Sequence, residues 1–224
     1  MDKFIYINSN SISHQLSKDI IQLFEEDKDL HGRGTTIGGL DENVKKTSDY
    51  IIPLNPDKKW IKIQKFLAKE LNKNISKYLT GLNQMIDDKN NYDTNYKIFN
   101  MPFLQYDQFM IQKYNKLDGK YIYHDDSFID FNKNRYRVFT YLWYLNTVTE
   151  GGETVFWDSY KIKPEAGKLV LFPACWTFPH TGKMPISDNK YIITGWVYVN
   201  ENKLVNQRVA DIINDKYKNI NTNI

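Results

Sequence analysis

The tripeptide His124-Asp125-Asp126 constrains the possible fold of this chain more than any other short stretch. In a β-strand, side chains two residues apart point to the same side, so His124 and Asp126 would direct an imidazole and a carboxylate at one point. One nitrogen and one oxygen donor leave a divalent metal short of a third protein ligand. A 2-His-1-carboxylate site takes that ligand from a second histidine and leaves the opposite metal positions open. A metal site here therefore requires a fold that brings a distant histidine to this strand.

His180 is the candidate for the second histidine. His14 falls within a helical pattern and His31 within a glycine-rich loop, and we interpret both as surface residues. His180 follows a strongly apolar strand pattern and lies 56 residues after His124. A lone buried histidine is more often a core residue than a ligand, and H-x-D tripeptides are frequent by chance. If the fold places His180 beside the His124-Asp125-Asp126 strand, the three side chains form a metal site. The sequence therefore predicts a metal centre on the condition that these two stretches meet in one sheet.

Lys190 lies ten positions after His180, at the start of the strand pattern that continues to Trp196. A 2-oxo acid chelates Fe(II) through its keto oxygen and C1 carboxylate, so a dicarboxylate co-substrate has a second carboxylate at its far end. A lysine inside the fold would meet that carboxylate through charge-assisted hydrogen bonds. Taken alone, Lys190 is better explained as a surface lysine. Beside the histidine and aspartate pattern, we expect it in the same cavity.

Hydrophobic periodicity predicts two helices in the first hundred residues. The first runs from Ser11 to Phe24. The second follows Asn55, the predicted N-cap, and its apolar residues recur at three- and four-residue spacing from Trp60 to Leu82. We interpret the lysines between them as a solvated outer face, with a nucleic-acid surface as the less favoured alternative.

Five stretches rich in aromatic and β-branched residues are predicted to be strands, separated by loops with Gly, Asn, Asp or Pro. They are Asp107–Tyr114, Tyr136–Leu145, Thr154–Trp157, Lys168–Pro173 and Tyr191–Asn200, and a further short strand is predicted at residues 3–7. Helices followed by several short strands favour an α+β domain with a β-sandwich or jelly-roll core. We predict one domain over 1–224, with mostly helical support over 1–100, the core over 101–200, and a C-terminal helix (Leu204–Tyr217) and tail over 201–224.

These residues lie within a longer series of motifs that resembles the 2-oxoglutarate/Fe(II)-dependent oxygenases of the prolyl 4-hydroxylase type. The motifs follow the order and spacing of that family over a little more than a third of the chain. They are Tyr114, Tyr121, His124-Asp125-Asp126, Arg137-x-x-Thr140-x-Leu142-x-Tyr144-Leu145-Asn146, Gly151-Gly152-Glu153-Thr154-Val155-Phe156, Pro164-x-x-Gly167-Lys168-Leu169-Val170-Leu171-Phe172, His180-x-Gly182 and Lys190 through Trp196.

The resemblance implies a double-stranded β-helix (jelly roll) with supporting N-terminal helices, and a metal centre inside it. His124, Asp126 and His180 would bind Fe(II), and Trp196 falls where the family places an aromatic residue beside the metal. Asp125 should face away from the ion. Core packing is the alternative role for Trp196.

The resemblance also implies a pocket for 2-oxoglutarate. Lys190 would pair with the distal carboxylate, and Tyr114 matches a family tyrosine that lines the pocket. Tyr144 and Thr194 match further positions near the same carboxylate, with core packing as the alternative for both tyrosines. We interpret the Gly151–Thr154 turn as structural.

Two residues near these motifs receive structural interpretations. Arg137 is predicted to be a structural ion-pair partner, and Cys175 a small core or loop residue.

The activity implied by the resemblance is hydroxylation of a substrate C–H bond with release of succinate and CO2, using O2 and, as in family members, ascorbate. It favours a peptidyl proline held in a groove between loops at 31–50 and 127–135, with Gly32–Gly39 as a candidate lid. A free amino acid or other metabolite is the alternative substrate. A non-catalytic jelly-roll binding module and an interaction protein that uses the lysine-rich helix are the alternatives from other classes.

Composition excludes several other sites and locations. A net charge of +3 over 224 residues implies no general attraction to nucleic acid or to a membrane. Cys175 is the single cysteine, which excludes an intramolecular disulfide and a multi-cysteine zinc site. The apolar run Phe4–Ile7 is too short for a signal peptide, and no segment approaches the roughly 20 apolar residues of a membrane span. We expect a soluble cytoplasmic protein.

Overall fold

A computed structural model describes residues 2–85 and 103–200, together with Phe99 and Met101. This part of the chain contains two α-helices, α1 (His14–Glu26) and α2 (Lys58–Met85). The helix predicted at Leu204–Tyr217 lies outside the described residues.

Fourteen strands in the described residues form two antiparallel sheets. In chain order they are β1 (Tyr6–Asn8), β2 (Gly32–Arg33), β3 (Lys45–Lys46), β4 (Ser48–Ile51), β5 (Leu104–Tyr106), β6 (Met110–Tyr114), β7 (Lys120–His124), β8 (Ile129–Asp130), β9 (Arg135–Tyr144), β10 (Thr154–Phe156), β11 (Tyr160–Ile162), β12 (Leu169–Pro173), β13 (His180–Gly182) and β14 (Lys190–Asn200).

The strands from β6 onward are divided between the two sheets in a way that brings distant residues together. The nine-stranded sheet has the order β1-β12-β9-β14-β6-β4-β2, with β5 beside β14 and β8 beside β9. The five-stranded sheet has the order β11-β10-β13-β7-β3. The chain therefore passes repeatedly from one sheet to the other, and β7 becomes the neighbour of β13 although many residues separate them. The predicted combination of N-terminal helices with an antiparallel core is confirmed.

Helix α1 starts at His14, three residues after the predicted start at Ser11, because Ser13 is its N-cap. The Ser13 side chain accepts a hydrogen bond from the Leu16 N–H at 3.1 Å. Ser11 lies outside the helix and is buried, with its hydroxyl 3.2 Å from Glu70 Oε1 and 2.9 Å from the Trp143 indole nitrogen. Ile20 and Phe24 turn the apolar face of α1 into the core.

Helix α2 is capped by Asp57, so the predicted N-cap at Asn55 is wrong. Asp57 Oδ1 accepts from the backbone N–H groups of Lys59 and Trp60, both at 3.2 Å. The apolar face of α2 packs on the nine-stranded sheet. The shared core includes Trp60 and Leu67 from α2 and Trp143 from β9. The lysines at 58, 59, 62, 65 and 69 are exposed, as a solvated outer face requires.

The five central strand predictions are found as β6, β9, β10, β12 and β14, with their ends shifted by three residues or fewer. The short strand predicted at residues 3–7 is displaced, since residues 2–4 form a single 3₁₀ turn before β1. Strands β3 and β4 were not predicted from the sequence, because their lysine and aspartate residues give no apolar alternation. No helix in the described ranges has an apolar stretch that reaches across a bilayer.

Asp57→Ala is expected to lower the free energy of unfolding by about 0.5–2 kcal/mol, because the first turn of α2 loses the carboxylate that satisfies two backbone donors. Urea denaturation followed by circular dichroism measures the difference. Asn55→Ala is the matched control and should leave stability unchanged. An equal loss in both variants would contradict Asp57 as the cap.

Candidate metal centre

His124, Asp126 and His180 meet at the adjoining ends of β7 and β13. His124 and His180 are paired residues in the antiparallel register of these strands. The candidate ligand atoms of the three residues all lie within 4.8 Å of one another. His124 Nε2 is 4.0 Å from Asp126 Oδ1, and His180 Nε2 is 3.6 Å from Asp126 Oδ2. Bonds of about 2.0–2.2 Å from one ion would reach all three atoms after small side-chain adjustments.

Backbone carbonyls fix the orientation of both imidazoles. His124 Nδ1 lies 2.8 Å from the Ile122 carbonyl, and His180 Nδ1 lies 3.1 Å from the Phe178 carbonyl. Because a carbonyl oxygen only accepts, each Nδ1 must carry the proton. The Nε2 lone pairs are then free to bind a metal beside Asp126, which is the arrangement that metal-binding histidines commonly use.

The surroundings of His124 and Asp126 favour the ligand forms of both side chains at neutral pH. Burial, with a further contribution from His180, lowers the pKa of His124 to about 4, so this imidazole is neutral. Burial raises the pKa of Asp126, but His180, His124 and the Thr140 hydroxyl outweigh it and the net pKa is below the usual value. Thr140 Oγ1 donates to Asp126 Oδ2 at 2.7 Å and so holds the carboxylate in place.

Trp196 and Arg137 form the wall beside Asp126. The Arg137 guanidinium carbon lies 3.6 Å from the centre of a Trp196 ring and 4.8 Å from that of Phe128. Arg137 Nη1 also donates to the Asp126 backbone carbonyl at 3.3 Å. The structural ion pair predicted for Arg137 is wrong for the described residues, where the guanidinium stacks on aromatic rings instead. Trp196 lines the same cavity as the three candidate ligands.

That cavity has a volume of about 540 Å³ and extends between the two sheets to Lys190. Lys190 is 1% exposed, and its Nζ donates to the Gly152 carbonyl at 3.0 Å and lies 4.0 Å from the centre of the Tyr114 ring. Burial lowers the pKa of Lys190 to about 7. No carboxylate among the described residues lies within ion-pair distance of Lys190, so no protein anion is paired with it there.

Gly182 lies in the cavity wall with the candidate ligands and with Lys190. Gly182 is two residues beyond His180 on β13, so both face the cavity and are separated along the strand by about 6–7 Å. A Cβ atom at Gly182 would lie 3.4 Å from Tyr114 Cε1 and 3.6 Å from Lys190 Nζ. The glycine therefore leaves space open in the cavity beside Tyr114 and Lys190.

Of the other three residues predicted for the co-substrate pocket, two line the cavity and one is buried behind its wall. Tyr114 and Thr194 line the cavity. Tyr144 is fully buried in the layer beneath it, where its hydroxyl donates to Thr154 Oγ1 at 2.7 Å, and Thr154 lines the cavity. In this structure Tyr144 thus reaches the pocket through Thr154, and its contact with a co-substrate remains a prediction.

Sequence reasoning missed the part that the turn before β10 plays in this pocket. Gly151 and Gly152 have φ values of 73° and 74°, a region that favours glycine. That conformation aims the Gly152 carbonyl at the Lys190 ammonium group. The paired glycines were the available signal, but they were interpreted as shaping the fold alone.

Of the residues predicted to have no part in the site, His14 and Cys175 do not line the cavity, whereas Asp125 does. Asp125 is exposed and accepts from the Ser127 N–H at 2.9 Å. Cys175 is half-buried in a loop, and His14 is exposed. His31 is not a free surface residue, because its ring stacks on Phe24 at 3.8 Å and its Nε2 contacts the Phe24 carbonyl at 2.8 Å.

Comparison with known proteins identifies the family that this site resembles. Residues 109–198 match the family model of the 2OG-Fe(II) oxygenase superfamily. No curated protein matches the sequence. The predicted resemblance to the prolyl 4-hydroxylase type of this superfamily is confirmed by the family match and by the structures below.

Three solved structures show that the fold is that of prolyl hydroxylases. A prolyl hydroxylase from Trichoplax adhaerens, in complex with a peptide fragment of the hypoxia inducible factor oxygen degradation domain, is 20% identical, with a TM-score of 0.61 over 89% of this chain and 85% of that one. A viral collagen prolyl hydroxylase from Paramecium Bursaria Chlorella virus-1, in complex with 2-oxoglutarate, is 16% identical, with a TM-score of 0.56 over 88% and 96%. A prolyl-4-hydroxylase from Pseudomonas putida is 14% identical, with a TM-score of 0.58 over 86% and 91%.

Thr140→Val is expected to weaken divalent-metal binding about tenfold, because Asp126 loses the donor that fixes its carboxylate while the shape of the side chain is kept. Calorimetric titration with Mn(II) measures the affinity. Thr177→Val is the control, since the Thr177 hydroxyl contacts Cys175 Sγ away from the cavity. Wild-type affinity in Thr140→Val would show that Asp126 does not depend on this contact.

Proposed function

Since residues 109–198 match the 2OG-Fe(II) oxygenase superfamily and the fold is that of solved prolyl hydroxylases, we propose that this chain is an Fe(II)- and 2-oxoglutarate-dependent dioxygenase that hydroxylates a substrate C–H bond. One observation carries the proposal. A two-histidine, one-carboxylate cluster shares a cavity with a buried lysine that has no protein anion beside it among the described residues. A binding module without catalysis has no need of that combination.

The proposed core is a double-stranded β-helix within a single domain. Eight strands, β6, β7 and β9 to β14, divide equally between the sheets, in the orders β12-β9-β14-β6 and β11-β10-β13-β7. The repeated passage between sheets wraps the strands around the cavity. Helices α1 and α2 support this core from the outer face of the larger sheet.

His124, Asp126 and His180 are the proposed ligands of Fe(II). Two imidazole nitrogens and one carboxylate oxygen fit this ion and leave positions open for other ligands. When bound, the iron and 2-oxoglutarate supply the oxidative chemistry, in which O2 converts the co-substrate to succinate and CO2 and one oxygen atom enters the substrate C–H bond. The chain contributes orientation: the Ile122 and Phe178 carbonyls set the two imidazoles.

Lys190 is the proposed partner of the distal carboxylate of 2-oxoglutarate. Within the described residues its ammonium group makes one hydrogen bond, to Gly152, and so retains donors for a ligand. Tyr114, Thr194 and, through Thr154, Tyr144 complete this end of the pocket. Trp196 is proposed to cover the metal on the side of Asp126.

A peptidyl proline is the proposed substrate, and a peptide or protein is therefore the partner. Phe131 and Trp176 are 80% and 77% exposed, on loops that leave the metal centre after Asp126 and return to it before His180. Exposed aromatic side chains suit the recognition of extended, proline-rich segments. The peptide bound to the Trichoplax adhaerens enzyme supports this choice.

The test is an assay with Fe(II), 2-oxoglutarate, O2 and a panel of peptides with and without proline. Succinate formation should require Fe(II), and mass spectrometry should find one added oxygen atom on a proline-containing peptide. His180→Ala should abolish both signals, whereas His14→Ala, an exposed histidine elsewhere, should retain them. Parallel reactions with and without ascorbate test the predicted requirement for it.

Two outcomes of this assay would change the proposal. Oxygen added to a free amino acid and to no peptide would move the substrate to a small metabolite. The absence of any iron-dependent succinate would remove the enzyme function itself.

Affinity for 2-oxoglutarate should fall as pH rises from 7 towards 9. The pKa of Lys190 in the free protein is about 7, so above that pH the side chain loses its charge, and a bound carboxylate raises the pKa again. Binding at pH 8 should therefore take up close to one proton. Calorimetry of the Mn(II)-loaded protein, in buffers of different ionisation enthalpy, measures this uptake. The Lys190→Met variant should bind 2-oxoglutarate weakly and without proton uptake. An uptake equal to that of the wild type would contradict the assignment of Lys190.

A further inference from the structure

A second buried lysine, Lys45, lies in the wall of the same cavity and has no part in the function proposed above. It is 4% exposed, and its Nζ donates to Asp49 Oδ2 at 2.9 Å and to the Thr35 carbonyl at 3.4 Å. The adjacent Lys46 instead pairs with Asp118 at the surface, away from the cavity. The two neighbouring lysines therefore have different surroundings and make a matched pair for experiment.

The ion pair between Lys45 and Asp49 connects the two sheets. Lys45 is on β3 of the five-stranded sheet, where it is paired with Tyr121 of β7. Asp49 is on β4 of the nine-stranded sheet, where it is paired with Gln112 of β6. Side chains 4% and 10% exposed hold this contact, so little water competes with it. The pair thus adds a buried contact between the two sheets at the wall of the cavity.

From Asp49 the contacts continue to the proposed co-substrate pocket. Gln112 Nε2 donates to Asp49 Oδ2 at 3.1 Å, and the Tyr114 hydroxyl donates to Gln112 Oε1 at 3.3 Å. A carboxylate only accepts, so Gln112 must turn its amino group to Asp49 and its carbonyl to Tyr114. The charge on Asp49 therefore determines the direction of the Tyr114 hydrogen bond.

Tyr114 is the residue through which this relay acts on the pocket. It is paired with Lys190 across β6 and β14, and its ring lies 4.0 Å from the Lys190 ammonium nitrogen. Both the position of the ring and the direction of the hydroxyl bear on any carboxylate held by Lys190. The relay of Lys45, Asp49 and Gln112 contacts none of the three candidate metal ligands by a hydrogen bond in the described part of the chain.

We propose that Lys45, Asp49 and Gln112 are positioning residues for 2-oxoglutarate, which act through Tyr114. This inference rests on the proposed function, because it presumes that the pocket beside Lys190 takes that co-substrate. The relay sets the affinity for 2-oxoglutarate and leaves metal binding and the rate at saturation unaffected. Through Thr35 it also ties the segment 35–38, which lines the cavity, to the same set of contacts.

Gln112→Leu removes the middle of the relay with little change in volume. The variant should raise the Kd and KM for 2-oxoglutarate roughly three- to tenfold, the cost of about one hydrogen bond, at unchanged kcat and Mn(II) affinity. Calorimetry on the Mn(II)-loaded protein gives Kd, and succinate formation gives KM and kcat. Gln64→Leu, on the outer face of α2, is the control and should match the wild type.

Lys45→Met combined with Asp49→Leu removes both charges together, because either change alone would leave a buried unpaired charge. The double variant should raise the Kd by a similar factor and should speed backbone hydrogen exchange at residues 35–38 in the ligand-free protein. Adding Gln112→Leu to it should cause little further loss, since residues of one relay are not additive. Lys46→Met is the control and should change neither measurement.

The outcomes separate this inference from the function on which it rests. Failure of the Mn(II)-loaded wild-type protein to bind 2-oxoglutarate would remove both. Binding by the wild type together with an unchanged Kd in Gln112→Leu would overturn the relay alone, even if residues 35–38 exchange faster in the double variant. Should the double variant fail to fold, the result for Gln112→Leu decides.

Discussion

The pairing of β7 with β13 is the contact on which the rest of the structure depends. It sets His124 opposite His180 although 56 residues separate them. Side chains alternate between the faces of a strand, so a register shift of one residue would turn one imidazole out of the cavity. Strand β13 also carries Gly182 beside Tyr114 and Lys190, after a shift of its register with β7, so one short strand contributes to both ends of the cavity.

The cavity combines groups that a stable core would avoid. Lys190 is almost completely buried with a carbonyl and an aromatic ring as its partners, and its lowered pKa records the cost of burying that charge. Asp126 is likewise buried, and its neighbours are the imidazoles of His124 and His180. A ligand that binds only the native state raises the free energy of unfolding. Ligand binding in this cavity should therefore offset the cost of burying Lys190 and Asp126.

The sequence predicts the elements and residues that follow a simple period or a spaced motif. The long strands and both helices were found this way, as were the positions that converge in the cavity. The predicted cap at Asn55 was wrong because two acceptable capping residues lie close together, and the backbone path selects Asp57. Strands β3 and β4 escaped prediction because a buried ion pair between Lys45 and Asp49 has the composition of a surface loop. Stacking of Arg137 on Trp196 depends on a strand neighbour that sequence order does not reveal.

The alternation of strands between the two sheets has a consequence for how the protein acquires its metal. His124 and Asp126 are synthesised well before His180, and the intervening strands must pair before the three side chains meet. A nascent or partly folded chain therefore offers an ion no more than two of the three ligands. Long-range antiparallel pairing is slow compared with helix formation, so loading follows the late steps of folding rather than guiding the early ones. An ion that binds at these three residues would therefore enter a completed cavity, and a redox-active ion would be kept away from exposed, unfinished chains.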